Sequence, residues 1–407
     1  MTLLLSRFTL LFIILIDAIG LGVIYPTLAY YFLDPQSTLF DAEISYDKRL
    51  FYLGLVFAVY PFFMGIGSLN IGKLSDRIGR KKALTGCLVG FCCGFIVLTC
   101  GIILQTLWLI ILGRMIAGLT AGCHVIAQAS MADISKGSIE KAKNISAIVV
   151  ANTLGFVLGP VLGGLLSSND VLPFFTTYTP FIATAFLGFV ALIFLQIFFK
   201  ETFIKKDFSA NTIALSDLKL LKNHYILQLA LIYFLFTLGW NFFFQFAPVY
   251  LQTYFNADSA QVGLFMSFVA FIFMVSIPLM VRPLLTYLGL KKILLLGLLF
   301  LSVSIWISIQ LSVFYLFWLA IIPFCIGGGF VYTTSLSLFS DAASEQHQGH
   351  IMGVAGVVKS IAWTLAPIIS GVIASFYMKL PMLAAGVCFI IALLLAIFLR
   401  QHKVKDS

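Results

Sequence analysis

Charge is what this sequence has least of. Only 10% of its 407 residues are Asp, Glu, Lys or Arg, against roughly 25% in soluble domains. A soluble chain of this length would need polar surface for two or three separate bodies, and too little is present. The same shortage of polar residues excludes a disordered chain. Disulfide and metal-ligand spacings are also missing. The seven Cys (Cys87, Cys92, Cys93, Cys100, Cys123, Cys325, Cys388) all lie inside apolar runs without a CxxC pattern, as expected of free thiols packed in helices. No GxxxxGK(S/T) loop is present, which disfavours a nucleotide-driven pump, and no HExxH or GxSxG set supports a membrane enzyme. His347 and His350 in QHQGH form too small a set for a metal site and read as loop residues, so no metal or cofactor is expected.

What is abundant is apolar: 61% of residues are hydrophobic and the mean hydropathy is +1.07. The 41 Phe and 32 Gly fit lipid-facing positions and close helix packing respectively. A transmembrane helix needs about 20 apolar residues. Twelve runs qualify: 4–33, 50–72, 83–102, 106–133, 144–168, 174–199, 223–254, 260–281, 292–311, 313–340, 350–377 and 381–400. They are continuous rather than alternating, so helices are predicted over barrel strands. The first run extends far beyond a signal-peptide core, so it is expected to be a span. The fold class expected is all-α integral membrane.

The net charge of +9 comes from loops. Nineteen Lys and Arg residues occupy the 73–82, 134–143, 200–222 and 282–292 segments and the tail, against Lys48, Arg49 and Lys379 on the other side. This bias places the basic side and both termini in the cytoplasm of a bacterial-type inner membrane. It also accounts for the basicity without a nucleic-acid partner. The partners expected are a small-molecule substrate, protons and the lipid bilayer. The only long polar stretch, 200–222, divides the chain into bundles 1–199 and 223–407.

A weak internal repeat supports this division. NTLGFVLGPVLGG (152–164) reappears 207 positions later as KSIAWTLAPIISG (359–371), with Pro160 matching Pro367 and Gly164 matching Gly371. GKLSDRIGRKK (72–82) maps onto RPLLTYLGLKK (282–292); Gly79 matches Gly289 and the Lys pairs match, but Asp76 becomes Thr286. Two six-helix repeats are the plan of many carriers.

Four motifs now stand together: Asp17-x-x-Gly20-x-Gly22-x-x-x-Pro26, Gly72-x-Leu-x-Asp76-Arg77-x-Gly79-Arg80-Lys81, Gly113-Arg114-x-x-x-Gly118, and Gly155-x-x-x-Gly159-Pro160-x-x-Gly163-Gly164. With them the sequence resembles the major facilitator superfamily, specifically its twelve-span drug:proton antiporter branch, which includes the tetracycline exporters. The resemblance covers essentially the whole chain. It implies two pseudo-symmetric six-helix bundles, alternating access, proton-coupled export and a monomer; proton symport stays open as the alternative, because direction is not written in these motifs. It also implies a proton-transfer role for Arg114 and an antiporter role for the glycine motif.

The residues themselves leave alternatives open. Asp17 lies roughly 20 Å into the first span at 1.5 Å per residue. A charged carboxylate there costs about 2.5–3.5 kcal/mol on insertion scales. It is either the proton-coupling group or an Asp held by helix-end or Ser/Thr partners. Arg114, near mid-depth of the fourth span, either exchanges partners with Asp17 during a cycle or clamps backbone carbonyls of the first helix. His124 is a candidate proton relay, and Gln128 is expected on the Arg114 stripe. In the 72–82 loop, Asp76 is expected to face the N-terminus of the span beginning near His350. Arg77 and Arg80 are expected to pair with Asp133. Gly72, Gly79 and these charges would form a gate, or serve simply as topogenic charge. Gly155, Gly159 and Gly163 form a stripe for close helix approach, and Pro160 can bend the span.

Lys359 is also mid-depth, in the eleventh span, with Asn152 as its repeat mate and Trp363 one turn on. It contacts an anionic substrate, pairs with Asp17 or snorkels. Together with Arg114 it favours an amphipathic or anionic metabolite, for instance a carboxylate siderophore, over a permanently cationic drug. Tyr25, Trp240, Asn241, Gln245 and Tyr332 complete the expected cavity, each with packing as the alternative.

Overall fold

The computed structural model describes all residues except 1, 35–36, 38, 42, 136, 170, 203–222, 343–347 and 400–407. Most of the 200–222 segment, the charged tail and His347 therefore lie outside the described residues, as does the side chain of His350. Every regular element among the described residues is helical. They are α1 (Thr2–Leu33), α2 (Tyr46–Ile78), α3 (Arg80–Ile103), α4 (Leu107–Leu119), α5 (Cys123–Asp133), α6 (Ser138–Leu166) and α7 (Thr179–Phe198). There follow α8 (His224–Phe255), α9 (Ser259–Ser276), α10 (Arg282–Gln310), α11 (Phe314–Asp341), α12 (Gln348–Phe376) and α13 (Leu380–Ile397). A π-helical turn, Ile277–Val281, joins α9 to α10. It contains Pro278, whose missing N–H disturbs regular helical bonding.

Twelve of the resulting helical stretches are long and apolar enough to cross a membrane, with α4 and α5 together forming one span. Hydrocarbon offers no hydrogen-bond partners to the backbone, so helices that satisfy their own are the solution such runs adopt. The chain forms two compact units. One holds the described residues of Met1–Ala210 with Ala257–Ser267, the other those of Asn211–Asn256 with Phe268–Ser407.

Two expectations about connections are corrected. Segment 73–82 is not a loop: α2 runs to Ile78, Gly79 alone breaks the helix at φ 94°, and α3 starts at Arg80. Its repeat mate Gly289 breaks α10 in the same way at φ 73°. A left-handed residue turns a helix abruptly, and glycine adopts that conformation without strain, so the corner needs no polar linker. The fourth span is not continuous either. It breaks between Leu119 and Cys123, where α2 crosses so closely that a side chain on Gly67 would collide with the Leu119 carbonyl. Smaller shifts occur at starts: the second span begins at Tyr46 rather than 50, and the sixth at Thr179 rather than 174.

The retained lysines of the repeat have one structural job in both units. Lys81 Nζ donates to the Gln196 carbonyl at 2.9 Å, at the end of α7. Lys291 Nζ donates to the carbonyls of Ile397 (3.0 Å) and Leu399 (2.6 Å), at the end of α13. Each caps the negative end of its unit's last helix.

The first unit is organised around α1 and α6. A Cβ on Gly155 would lie 2.5 Å from Ala18 Cβ, on Gly159 2.7 Å from the Ile19 carbonyl oxygen, and on Gly163 2.8 Å from that of Val23. Backbones therefore meet directly, as small-residue stripes permit in lipid. Thr27 Oγ1 adds a bond to the Gly163 carbonyl at 3.2 Å. Gly159→Val should destabilise the protein by about 1–3 kcal/mol through overpacking, while Gly86→Ala, where a Cβ meets nothing within 4 Å, should be neutral. Thermal melting of both purified variants checks this.

Candidate functional site

Asp17 sits midway along α1, beside the Ala18 and Ile19 backbone pressed by α6. It is half-buried and makes no hydrogen bond or ion pair among the described residues. The Ser/Thr-held alternative therefore has no support in its surroundings. Tyr60 on α2 and Cys123 on α5 lie close enough to feel its charge.

Arg114 is 3% exposed. The glycines of its motif set its place: a Cβ on Gly113 would meet the Gly94 carbonyl oxygen of α3 at 2.6 Å, and one on Gly118 the Tyr60 carbonyl oxygen at 2.6 Å. Drawn in between α3 and α2, Arg114 lays its guanidinium 4.7 Å from the centre of the Tyr60 ring. It also lies within electrostatic reach of Tyr25. Its Nε has no hydrogen-bond partner among the described residues. The alternative of a clamp on α1 carbonyls finds no such bond there. Tyr60, 6% exposed, thus neighbours both the buried cation and the half-buried carboxyl. Sequence reading missed it. The available signal was a Tyr in the apolar body of the second span, a residue type too common there to stand out.

Tyr25 is 3% exposed and packs edge-on against Phe57 at 5.2 Å. Gln128 is half-buried on α5 and hydrogen-bonds to His124, one turn earlier on the same helix, at 3.0 Å. Asn152 is half-buried on α6. In the second unit, Asn241 (7% exposed) and Gln245 (0%) lie inside the packing. They form a ladder along α8: Asn241 Nδ2 donates to the Thr237 carbonyl, and Gln245 Nε2 to Asn241 Oδ1 at 2.9 Å. Trp240 stacks on Phe324 at 5.2 Å and covers Gly328, and Tyr332 meets Phe273 edge-on. Lys359 is exposed, with Trp363 as its ring neighbour at 5.6 Å.

At the α2–α3 corner, Arg80 rather than Arg77 is the hub. Its Nε meets Asp133 at 3.2 Å and its Nη1 meets Asp76 at 2.7 Å and Ser75. Arg77 is exposed and makes no ion pair among the described residues. Asp76 pairs one turn along its own corner, with its side chain still 42% exposed. A Cβ on Gly72 would meet nothing within 4 Å, so this glycine is not required for close packing. The unforeseen member is Glu201. Its carboxylate accepts from the backbone N–H of Arg80 (2.9 Å) and Lys81 (3.1 Å), capping α3. Gly79 leaves it room: a Cβ there would lie 2.6 Å from Glu201 Oε2. No group of three or more His, Cys, Asp or Glu among the described residues is placed to hold a metal.

Twelve apolar helices in two repeated six-span halves, with an isolated acid and base in their interior, define a polytopic membrane protein of carrier type. The sequence profile of the Major Facilitator Superfamily matches residues 8–280 and 229–407, and the chain belongs to that family. It is similar to the class H tetracycline resistance protein of Pasteurella multocida, 29% identical over 188 residues, 46% of this chain and 42% of that protein. It is similar to the bacillibactin exporter of Bacillus subtilis (strain 168), 34% identical over 146 residues, 35% of this chain and 36% of that protein. The match thus spans about two-fifths of the length of these relatives. In fold it is similar to the human organic anion transporter MFSD10 (TETRAN), with a TM-score of 0.69 at 16% identity over 97% of this chain and 99% of that one.

Removing the Glu201 cap exposes two N–H donors to the start of α3. Glu201→Ala should cost about 1 kcal/mol and Glu201→Gln less, read as lowered melting temperatures. An unchanged Glu201→Ala melt would remove the capping role.

Proposed function

We propose that this protein is a proton-coupled secondary transporter that exports a small organic solute across a bacterial-type inner membrane by alternating access, with both termini in the cytoplasm. The observation that carries the reading is the Asp17–Tyr60–Arg114 set: a carboxyl without a bonding partner, a phenol, and a buried cation that no carboxylate pairs with. Protonated, Asp17 is neutral and tolerable in a low-dielectric interior. Deprotonated, it needs compensation, and Arg114 is the near source of positive charge, with Tyr60 beside both. A cavity that offers Asp17 to each side of the membrane in turn then carries one proton inward as solute leaves.

Other features fit this role. The α1–α6 glycine contact holds Asp17 on a closely packed helix, and His124 with Gln128 supplies a polar pair on α5. The α2–α3 corner with Asp76, Arg80 and Asp133 serves as the gate that opens and recloses. The names of the similar proteins, a tetracycline resistance protein and an exporter, support outward transport of organic solutes. The protein is read as a carrier without an enzymatic step and as a monomer.

Reconstituted vesicles containing a trapped pH dye test the coupling. Under an imposed pH gradient, a panel of cationic drugs, neutral drugs and polycarboxylate chelators is added. A transported compound should trigger proton flux in the wild type, and Asp17→Asn should reduce it to the level of empty vesicles while remaining monodisperse and folded. Full flux in Asp17→Asn would refute coupling at this residue. Asp76→Asn should likewise abolish transport without loss of folded protein; normal transport would refute the gate.

A further inference from the structure

Lys359 is singular in the second unit. No other charged side chain lies in the middle of an apolar run of α8 to α13: Lys291 and Lys292 follow the break at Gly289 in α10, and the remaining Lys, Arg, Asp and Glu of 223–407 lie at helix ends or outside the helices. It sits about 12 Å along the helix from Ile351, within the span Ile351–Phe376. Among the described residues it has no ion pair and no hydrogen bond. A cation at that depth must face protein or water rather than lipid.

The exposure pattern of α12 says which. The helix has two exposed faces. One is wholly aliphatic: Ile361, Leu365, Ile369 and Val372 are between 36% and 49% exposed. At 100° per residue this stripe is centred roughly 150° from the second face, on which Met352, Gly356 and Lys359 are exposed. The aliphatic face is the one suited to lipid. Lys359 therefore points away from that face, where a charge can be hydrated or met by a ligand. Trp363 lies one turn further on the same face, its ring 5.6 Å from Lys359 Nζ. The face thus offers a cation and a flat indole surface side by side, with the small Gly356 leaving room next to them.

We propose that Lys359 and Trp363 form the substrate-selecting element of this transporter, and that it takes organic anions bearing an aromatic ring next to the acid group. The ammonium group receives the carboxylate and the indole stacks on the ring. Cationic compounds are rejected because Lys359 offers no compensating charge. This deepens, and rests on, the reading of the protein as a solute transporter.

The test is equilibrium binding to the purified full-length protein in nanodiscs, with no proton gradient, so that its outcome is independent of coupling through Asp17. Three naphthalenes share one ring and differ in charge: 1-naphthoate, 1-naphthamide and 1-naphthylmethylammonium. Empty nanodiscs correct for partition into lipid. The wild type should bind the anion at least about tenfold tighter than the amide, the scale of one charge-assisted contact, and the cation weakest. Lys359→Gln should abolish the preference for anion over amide, and Lys359→Arg should keep it. Trp363→Leu should weaken anion and amide alike while preserving their ratio, a pattern that a merely structural Trp would not produce. Anion preference retained in Lys359→Gln, equal binding of the cation, or no binding of any of the three by the folded wild type would each overturn the proposal.

Discussion

Hydrocarbon neither hydrogen-bonds to the backbone nor solvates charge, and the rest of this structure depends on that constraint. It makes every span a helix and sends nearly all charged residues to helix ends. It also makes each charge that stays inside informative. Asp17, Arg114 and Lys359 remain within the spans, and none has an ion-pair partner among the described residues. A stable scaffold gains nothing from such side chains. The proposed exchange of protons and solutes would need groups whose partners come and go.

Without a hydrophobic driving force between helices in lipid, backbone approach does the organising. Gly155, Gly159 and Gly163 bring α6 onto α1 over the stretch that follows Asp17, and Gly113 and Gly118 draw α4 between α3 and α2. The glycine motifs therefore place chemistry without performing it. One fixes the helix that carries the carboxyl; the other delivers the guanidinium to the Tyr60 ring.

The repeat shows which parts of the α2–α3 corner are architectural. Both units keep the helix-breaking glycine, Gly79 and Gly289, and both keep a lysine that caps their last helix. Only the first unit keeps the acid and arginines, where Arg80 joins Asp76 to Asp133 and Glu201 caps α3. Shared residues build the corner, and the unshared charges distinguish what the first corner can do.

The sequence by itself determined the twelve spans, the two repeated halves, the family, and the unusual depth of Asp17, Arg114 and Lys359. These follow from sums along the chain: apolar length decides partition into lipid, and charge position decides depth. Tertiary structure alone decided who meets whom. It broke the fourth span between Leu119 and Cys123 and paired Gln128 with His124. It buried Tyr25, Asn241 and Gln245, chose Arg80 over Arg77, and brought Tyr60 and Glu201 into play. Such pairings depend on the rotation of each helix and on where two backbones touch, and a run of apolar residues is nearly silent about both, because it can be buried on any side.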